Sequence, residues 1–492
     1  LKNRLTIVVV LGFTIVVVWG FVALQLSQLQ LGSGIASLPD MPTEAILATA
    51  LPTEIPPTWT PLPTEPIQSE QGEATVLPTI DMTTNNAELL YLQGMDQHWH
   101  GEKSLAIALF TQVIELEPEF VEAYAFRGAS KRVMGDLVGA FADMTKALDI
   151  DPNNGVALSH MARWYMDNED PATALQLANQ AIESTPDEPI AIYNRTRIYW
   201  EIGSFFDAMS EIEKAIALDN SVAEYPYFLG WMQYQMQDYY ASTDNLLVAL
   251  ELDPDSYWIL NTLTYAYYRM QQYPTALEYA EQYMMLYPQS AEGYHIAALI
   301  YRGLGDATQS IEMYERSTKV DPTYAFGYFG AGIWYYEFGR VEDALEAYNK
   351  TIENDPTFHQ AYVNRGKIYL DREDYDRAIA DYDRAIEIYP DFWFAYLQRG
   401  IANFQSLNYQ SAIVDFEASL KIYPDNPETL YNLGSAYYGL EEFALALDFY
   451  LQTIELDPSF TDAYESIGWI YARRDDHEAA QKYFALAGID MD

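Results

Sequence analysis

Residues 359–392 read HQAYVNRGKIYLDREDYDRAIADYDRAIEIYPDF. Gly366 and Ala378 are small, Tyr362, Tyr369 and Tyr382 are bulky, and Pro390 stands two places before the end. Moving outward, that proline recurs at 118, 152, 186, 254, 288, 322, 356, 390, 424 and 458, always an integral multiple of 34 residues from the first; only Asn220 interrupts the series. A 34-residue period is one helix–turn–helix unit, whose apolar face is buried by stacking on its neighbours. The chain is therefore expected to be all-α, with about twelve units over residues 87–492.

With the proline set at position 32, the other positions align. Position 8 is glycine in Gly94, Gly128, Gly230, Gly332, Gly366, Gly400, Gly434 and Gly468, and small elsewhere: Ala162, Thr196, Thr264 and Ala298. Position 20 is alanine in all units but two, Ser242 and Ser310 being the exceptions. Small residues at 8 and 20 let the two helices of a unit approach, while bulky residues at 4, 11 and 24 fill the space around them. Gly101, Gly135, Gly203, Gly305 and Gly339 share position 15, where the first helix should end on a left-handed residue. Asp151, Asp253, Asp321, Asp355 and Asp457 precede the proline and suit the turn between units. Two irregularities stand out. Pro226 at position 4 and Asn220 in the preceding turn predict that the fifth unit's first helix starts late and bends or loosens the stack.

This pattern resembles the tetratricopeptide repeat (TPR). The resemblance implies a right-handed superhelical solenoid whose concave wall is built from first helices at positions 2, 5, 9, 12 and 13. Those positions hold 60 residues here, of which 18 are aromatic, eleven acidic and seven basic. The aromatics concentrate in units four to eight, punctuated by arginine. The candidate peptide groove is Tyr193, Arg197, Trp200, Tyr227, Trp231, Tyr234, Trp258, Tyr265, Tyr268, Arg269, Arg302, Phe326, Phe329 and Tyr336. Rigid aromatics with arginine suit an extended or helical peptide; plain packing between units is the competing reading. Some family members clamp a terminal carboxylate with lysine and asparagine. Asn194, Asn364 and Asn432 stand at position 6, but no asparagine occupies position 9, so that clamp is incomplete.

Ahead of the repeats, Leu5 to Leu24 form an uncharged apolar run of 20 residues preceded by Lys2 and Arg4. As a helix it would span roughly 30 Å, enough for a bilayer core. Residues 1–25 are expected to be a single-pass signal anchor. The positive-inside rule puts the N-terminus in the cytoplasm and the repeats outside the cell membrane; a cleaved secretory signal is the alternative. Between Pro39 and Thr84 lie nine prolines and ten threonines. Such a stretch cannot form helices or bury enough surface to fold, so residues 26–86 are expected to be a disordered, semi-extended Pro/Thr-rich linker.

The formal charge is −45, from 72 acids against 27 bases, and residues 1–86 carry only −5 of it. That field disfavours nucleic acid and anionic headgroups as partners. There are no cysteines, which removes disulfides, thiol nucleophiles and Cys-ligated zinc. His98 and His100 lie two residues apart, which on a helix points them to different sides, so no metal site is expected. No nucleophile elbow, phosphate loop or zinc signature interrupts the repeat pattern, and neither an enzyme activity nor a cofactor is expected. The sequence reads as a membrane-tethered, non-catalytic scaffold that binds a protein or peptide. The alternative is an extracytoplasmic carbohydrate-binding or regulatory arm of an envelope enzyme complex.

Overall fold

The computed structural model describes residues 86–489, which form twenty-four α-helices and, among the described residues, no strand. The helices pair into twelve units, from Ala87–Trp99 with Lys103–Leu116 to Thr461–Arg473 with His477–Leu486. The apolar run at 5–24 and nearly all of the Pro/Thr-rich stretch lie outside the described residues. No described helix is long and apolar enough to cross a membrane.

Two local devices fix each unit. The first is the left-handed residue at position 15, which reverses the chain. It is present in all twelve units, at the five expected glycines (φ from 70° to 88°) and also at Glu169, Gln237, Gln271, Glu373, Leu407, Glu441 and Asp475. Stacking imposes a conformation there that those seven side chains disfavour by about 1 kcal/mol each. Position 16 then caps the second helix where it is aspartate. Asp136, Asp170, Asp238, Asp306, Asp374 and Asp476 each accept a hydrogen bond from the backbone N–H three residues on.

The second device is the turn between units. Asp151, Asp321, Asp355 and Asp457 each accept from the N–H two residues ahead. Asp219 does the same with Ser221 at 2.9 Å, so the turn survives Asn220 in place of proline. The fifth unit's first helix, Glu224–Gln235, starts a single residue late. Pro226 falls in its first turn, where backbone N–H groups have no intrahelical partner to lose. Phe228, Leu229 and Met232 stay buried in a core shared with the units before it, so the stack continues; yet this helix packs less closely on the preceding second helix than any other first helix does, the expected loosening.

Within a unit the two helices meet at the small positions. A Cβ on Gly366 would lie 2.8 Å from the Tyr382 ring, and one on Gly400 2.5 Å from the Phe416 ring. Position 8 is thus the socket for the ring at position 24, and Phe110, Tyr382, Phe416 and Phe484 are wholly enclosed. A polar strut repeats as well. Arg127, Arg195, Arg365 and Arg399, all at position 7, fork between an acid sixteen residues ahead and a polar side chain sixteen behind. Arg365, for example, donates to Asp381 at 2.9 and 2.6 Å and to Asn349 at 2.7 Å. Each fork ties its own second helix to that of the preceding unit.

In most successive units the first helices touch one another, whereas second helices of successive units make no comparable contact. The stack therefore curves towards the first helices, and these form its inner wall.

Candidate functional site: the inner wall

The inner wall has two characters. In units two and three it carries the small residues Ala125, Ala129, Ser130 and Ser159, and the first helices Val121–Val133, Gly155–Asp167 and Pro189–Glu201 pack most closely there. Curvature is then tight enough for unit one to reach across. Trp99 lies 6.3 Å from the rings of both Tyr193 and Tyr225, and one continuous core runs from Ala87 to Met232.

Charges are trapped inside this closed coil. Arg163, 1% exposed, pairs with Glu201 at 2.8 Å and Asp167 at 3.6 Å, and Arg132 also pairs with Asp167. His98 shares a hydrogen bond with Ser130 at 2.8 Å, and Asn194 donates to Ser159 at 3.0 Å. Burial, then the Arg132, Arg163, Arg197 and Lys103 charges, push the His160 imidazole down to about 3. Burial also pulls the Lys103 ammonium down to about 8 and lifts the Glu224 carboxyl to about 7. His98 is therefore a core histidine, and among the described residues no cluster could hold a metal.

The predicted groove residues divide across the two regions. Tyr193, Arg197, Tyr234 and Phe329 are buried, so they act as packing rather than as open wall. Trp200 packs edge-on against Trp231 at 5.4 Å, and Trp231 stacks on Phe228. Phe326 and Phe329 both press on Phe358. Tyr227, Trp258, Tyr265, Tyr268, Arg269, Arg302 and Tyr336 remain half-buried. The wall's cations are turned onto rings: Arg269 donates to Tyr239 at 3.1 Å, and Lys367 lies 5.4 Å over Tyr336.

Glu292 was not among the predicted residues. It stands at position 2 of unit seven, where its carboxylate accepts from the Tyr257 hydroxyl at 2.5 Å and from Asn261 Nδ2 at 2.9 Å. Burial first, then the Glu292 charge, drive the hydroxyls of Tyr257, Tyr265 and Tyr324 up, so they stay neutral around it. The sequence signal was an acid at position 2 facing an asparagine at position 5 of the unit before. A second inner carboxyl, Glu428 in unit eleven, is lifted by burial to about 7 despite Lys367 nearby.

Sequence profiles described as the tetratricopeptide repeat match residues 134–194, 297–358, 329–391, 366–428, 427–460 and 461–487, together about half of the chain. The chain belongs to the tetratricopeptide repeat family. TPR proteins are in general protein-interaction scaffolds. Tetratricopeptide repeat protein 36 of Homo sapiens is 33% identical over 90 residues, 18% of this chain and 47% of that protein. Protein CTR9 homolog of Arabidopsis thaliana is 27% identical over 189 residues, 36% of this chain and 17% of that protein. The chain thus spans less than half the length of either relative. Among solved structures, MamA is 29% identical, covering 32% of this TPR chain and 91% of its own, with a TM-score of 0.30. The Cut9–Hcn1 hetero-tetramer of the APC/C is 13% identical, covering 82% and 93%, with a TM-score of 0.40.

Proposed function

We propose that this TPR solenoid is a non-catalytic scaffold that holds a protein or peptide on the inner wall of units six to eleven. In this reading the apolar run Leu5–Leu24 tethers it to a membrane with the repeats on the extracytoplasmic side. The observation that carries the binding reading is the contrast along the wall. Units one to five close on their own inner space through Trp99, whereas Trp258, Tyr265, Tyr268 and Tyr336 stay only partly buried on the wall of units six to eight. Rigid aromatic surface that is partly solvated in the free protein gains most by burial against a partner. The tether rests on the length and charge flanks of the apolar run alone.

The test is co-purification from cells of the full chain and of Trp258→Ala/Tyr265→Ala/Tyr336→Ala, with thermal unfolding by circular dichroism as the fold control. Loss of partners with an unchanged helical spectrum is the expected result. Retention of every partner by a folded triple variant would contradict it.

A further inference from the structure

Resting on that reading, we infer that the inner wall at units six and seven seats a basic side chain, lysine or arginine, of the bound peptide against Glu292. Tyr257 and Asn261 hold the carboxylate, Trp258 packs on Tyr257, and Tyr265 and Tyr324 lie within reach of the Glu292 charge. Glu292 is half-buried on the first helix Ala291–Gly303, and both its oxygens are held by neutral donors, Tyr257 and Asn261. These two bonds fix the carboxylate's direction without neutralising it. A carboxylate that makes no ion pair among the described residues favours a positive group.

The surroundings agree. Trp258 lies edge-on to Tyr257 with centroids 4.8 Å apart, so an indole and a phenol stand together at the rim. The inner wall's cations in units six to nine are engaged elsewhere: Arg269 on Tyr239, Arg302 with Tyr314 and Glu337, and Lys367 over Tyr336. Glu428 repeats the theme four units on: it is half-buried, and no ion pair neutralises it among the described residues. The repeats carry a net −40, and such a field steers a basic segment towards the wall and turns an acidic one away.

The charge of the whole chain attracts any polycation, so the experiment must separate a seat from a field. The probes are an acetylated lysine–alanine–glycine peptide and its counterpart with glutamine at every lysine. Each is titrated by calorimetry into the full chain in detergent at physiological salt. The lysine peptide should bind and the glutamine peptide should not. Glu292→Gln keeps an acceptor for Tyr257 and Asn261 and should weaken lysine-peptide binding about tenfold, as expected for a charge-assisted contact. Glu346→Gln, an exposed change on the outer helix Val341–Asn354, should alter it by less than about twofold. Absence of lysine-peptide binding, equal binding to Glu292→Gln, or equal weakening by both variants overturns the inference. Tyr265→Leu leaves the carboxylate in place and should also weaken binding, which keeps the test decisive if Glu292→Gln fails to fold. The two readings fail separately. Loss of natural partners on removing Trp258, Tyr265 and Tyr336, with no effect of Glu292→Gln, rejects the cation seat and leaves the groove.

Discussion

Units one to five and units six to twelve are built on the same 34-residue plan, yet their inner walls end differently. In the first stretch small residues at Ala125, Ala129 and Ser159 let the first helices of units two to four close ranks, and Trp99 seals the coil against Tyr193 and Tyr225. In the second, bulky side chains at the same positions, Tyr265 and Phe329 among them, hold the first helices apart. Side-chain volume on one face thus sets how far a repeat stack winds. The tighter stretch encloses charge, and the looser one presents aromatic surface.

Breaking an ion pair should expose this contrast most strongly. Glu201→Leu takes the 2.8 Å partner from Arg163, whose guanidinium is 1% exposed, and should cost about 3 kcal/mol. Asp383→Asn takes an acid that is 49% exposed from Arg399, which keeps Asp415, and should cost less than about 1 kcal/mol. Urea unfolding of the two variants makes the comparison, and equal losses would remove the distinction. The interface within a unit is common to both stretches. Ala174→Leu and Ala378→Leu, each at a fully enclosed position 20, should therefore cost similar amounts, about 1–3 kcal/mol, with lowered thermal midpoints.

Acid should loosen the closed coil selectively. His160 is neutral in the fold, with its imidazole at about 3, but takes up a proton in the unfolded chain below its ordinary value of 6.5. Its contribution is complete above about pH 6.5 and is lost as the pH falls towards 3, by about 2 kcal/mol at pH 5. Glu224, lifted from 4.5 to about 7, works in the opposite sense and loses stability as the pH rises between those values. The difference between wild type and His160→Gln therefore isolates the histidine. Midpoints of the two should converge at low pH relative to pH 7, and parallel pH profiles would refute the assignment. The smallest effect is expected at Leu407, 70% exposed with φ of 64°. Leu407→Gly relieves that backbone and should stabilise by about 0.5–1 kcal/mol in thermal unfolding.

The repeat plan was legible in the sequence because it depends on residues that recur in place: Gly366 under Tyr382, Ala378 between helices, Asp355 in its turn. The left-handed residue at position 15 was legible only where it is glycine. At Leu407 and Glu441 stacking overrides local preference, and no residue type announces it. Arg365 with Asp381 and Asn349 could have been found from the sixteen-residue spacing that Arg127, Arg195 and Arg399 share. Closure of the first five units could not, because Trp99 meets Tyr225 through the sum of small rotations over four units. For the same reason Tyr193 and Arg197 looked like open wall and proved to be core. Glu292 escaped a search for aromatics and arginine, since its setting is made by Tyr257 and Tyr324, which lie outside the usual inner positions.

Closure of the N-terminal coil is best tested by a cross-link, and a chain without cysteines makes this direct. Against burial, the His100 pKa is raised first by the Asp96 backbone carbonyl and carboxylate and then by the Asp253 and Glu224 charges, which therefore lie within reach of unit one. A short bis-maleimide added to folded His100→Cys/Asp253→Cys should join the two positions rapidly within one chain, and urea should abolish the reaction. Absence of the intramolecular link in the folded protein would mean that unit one does not reach unit five, and the distinction between closed and open walls would fall with it.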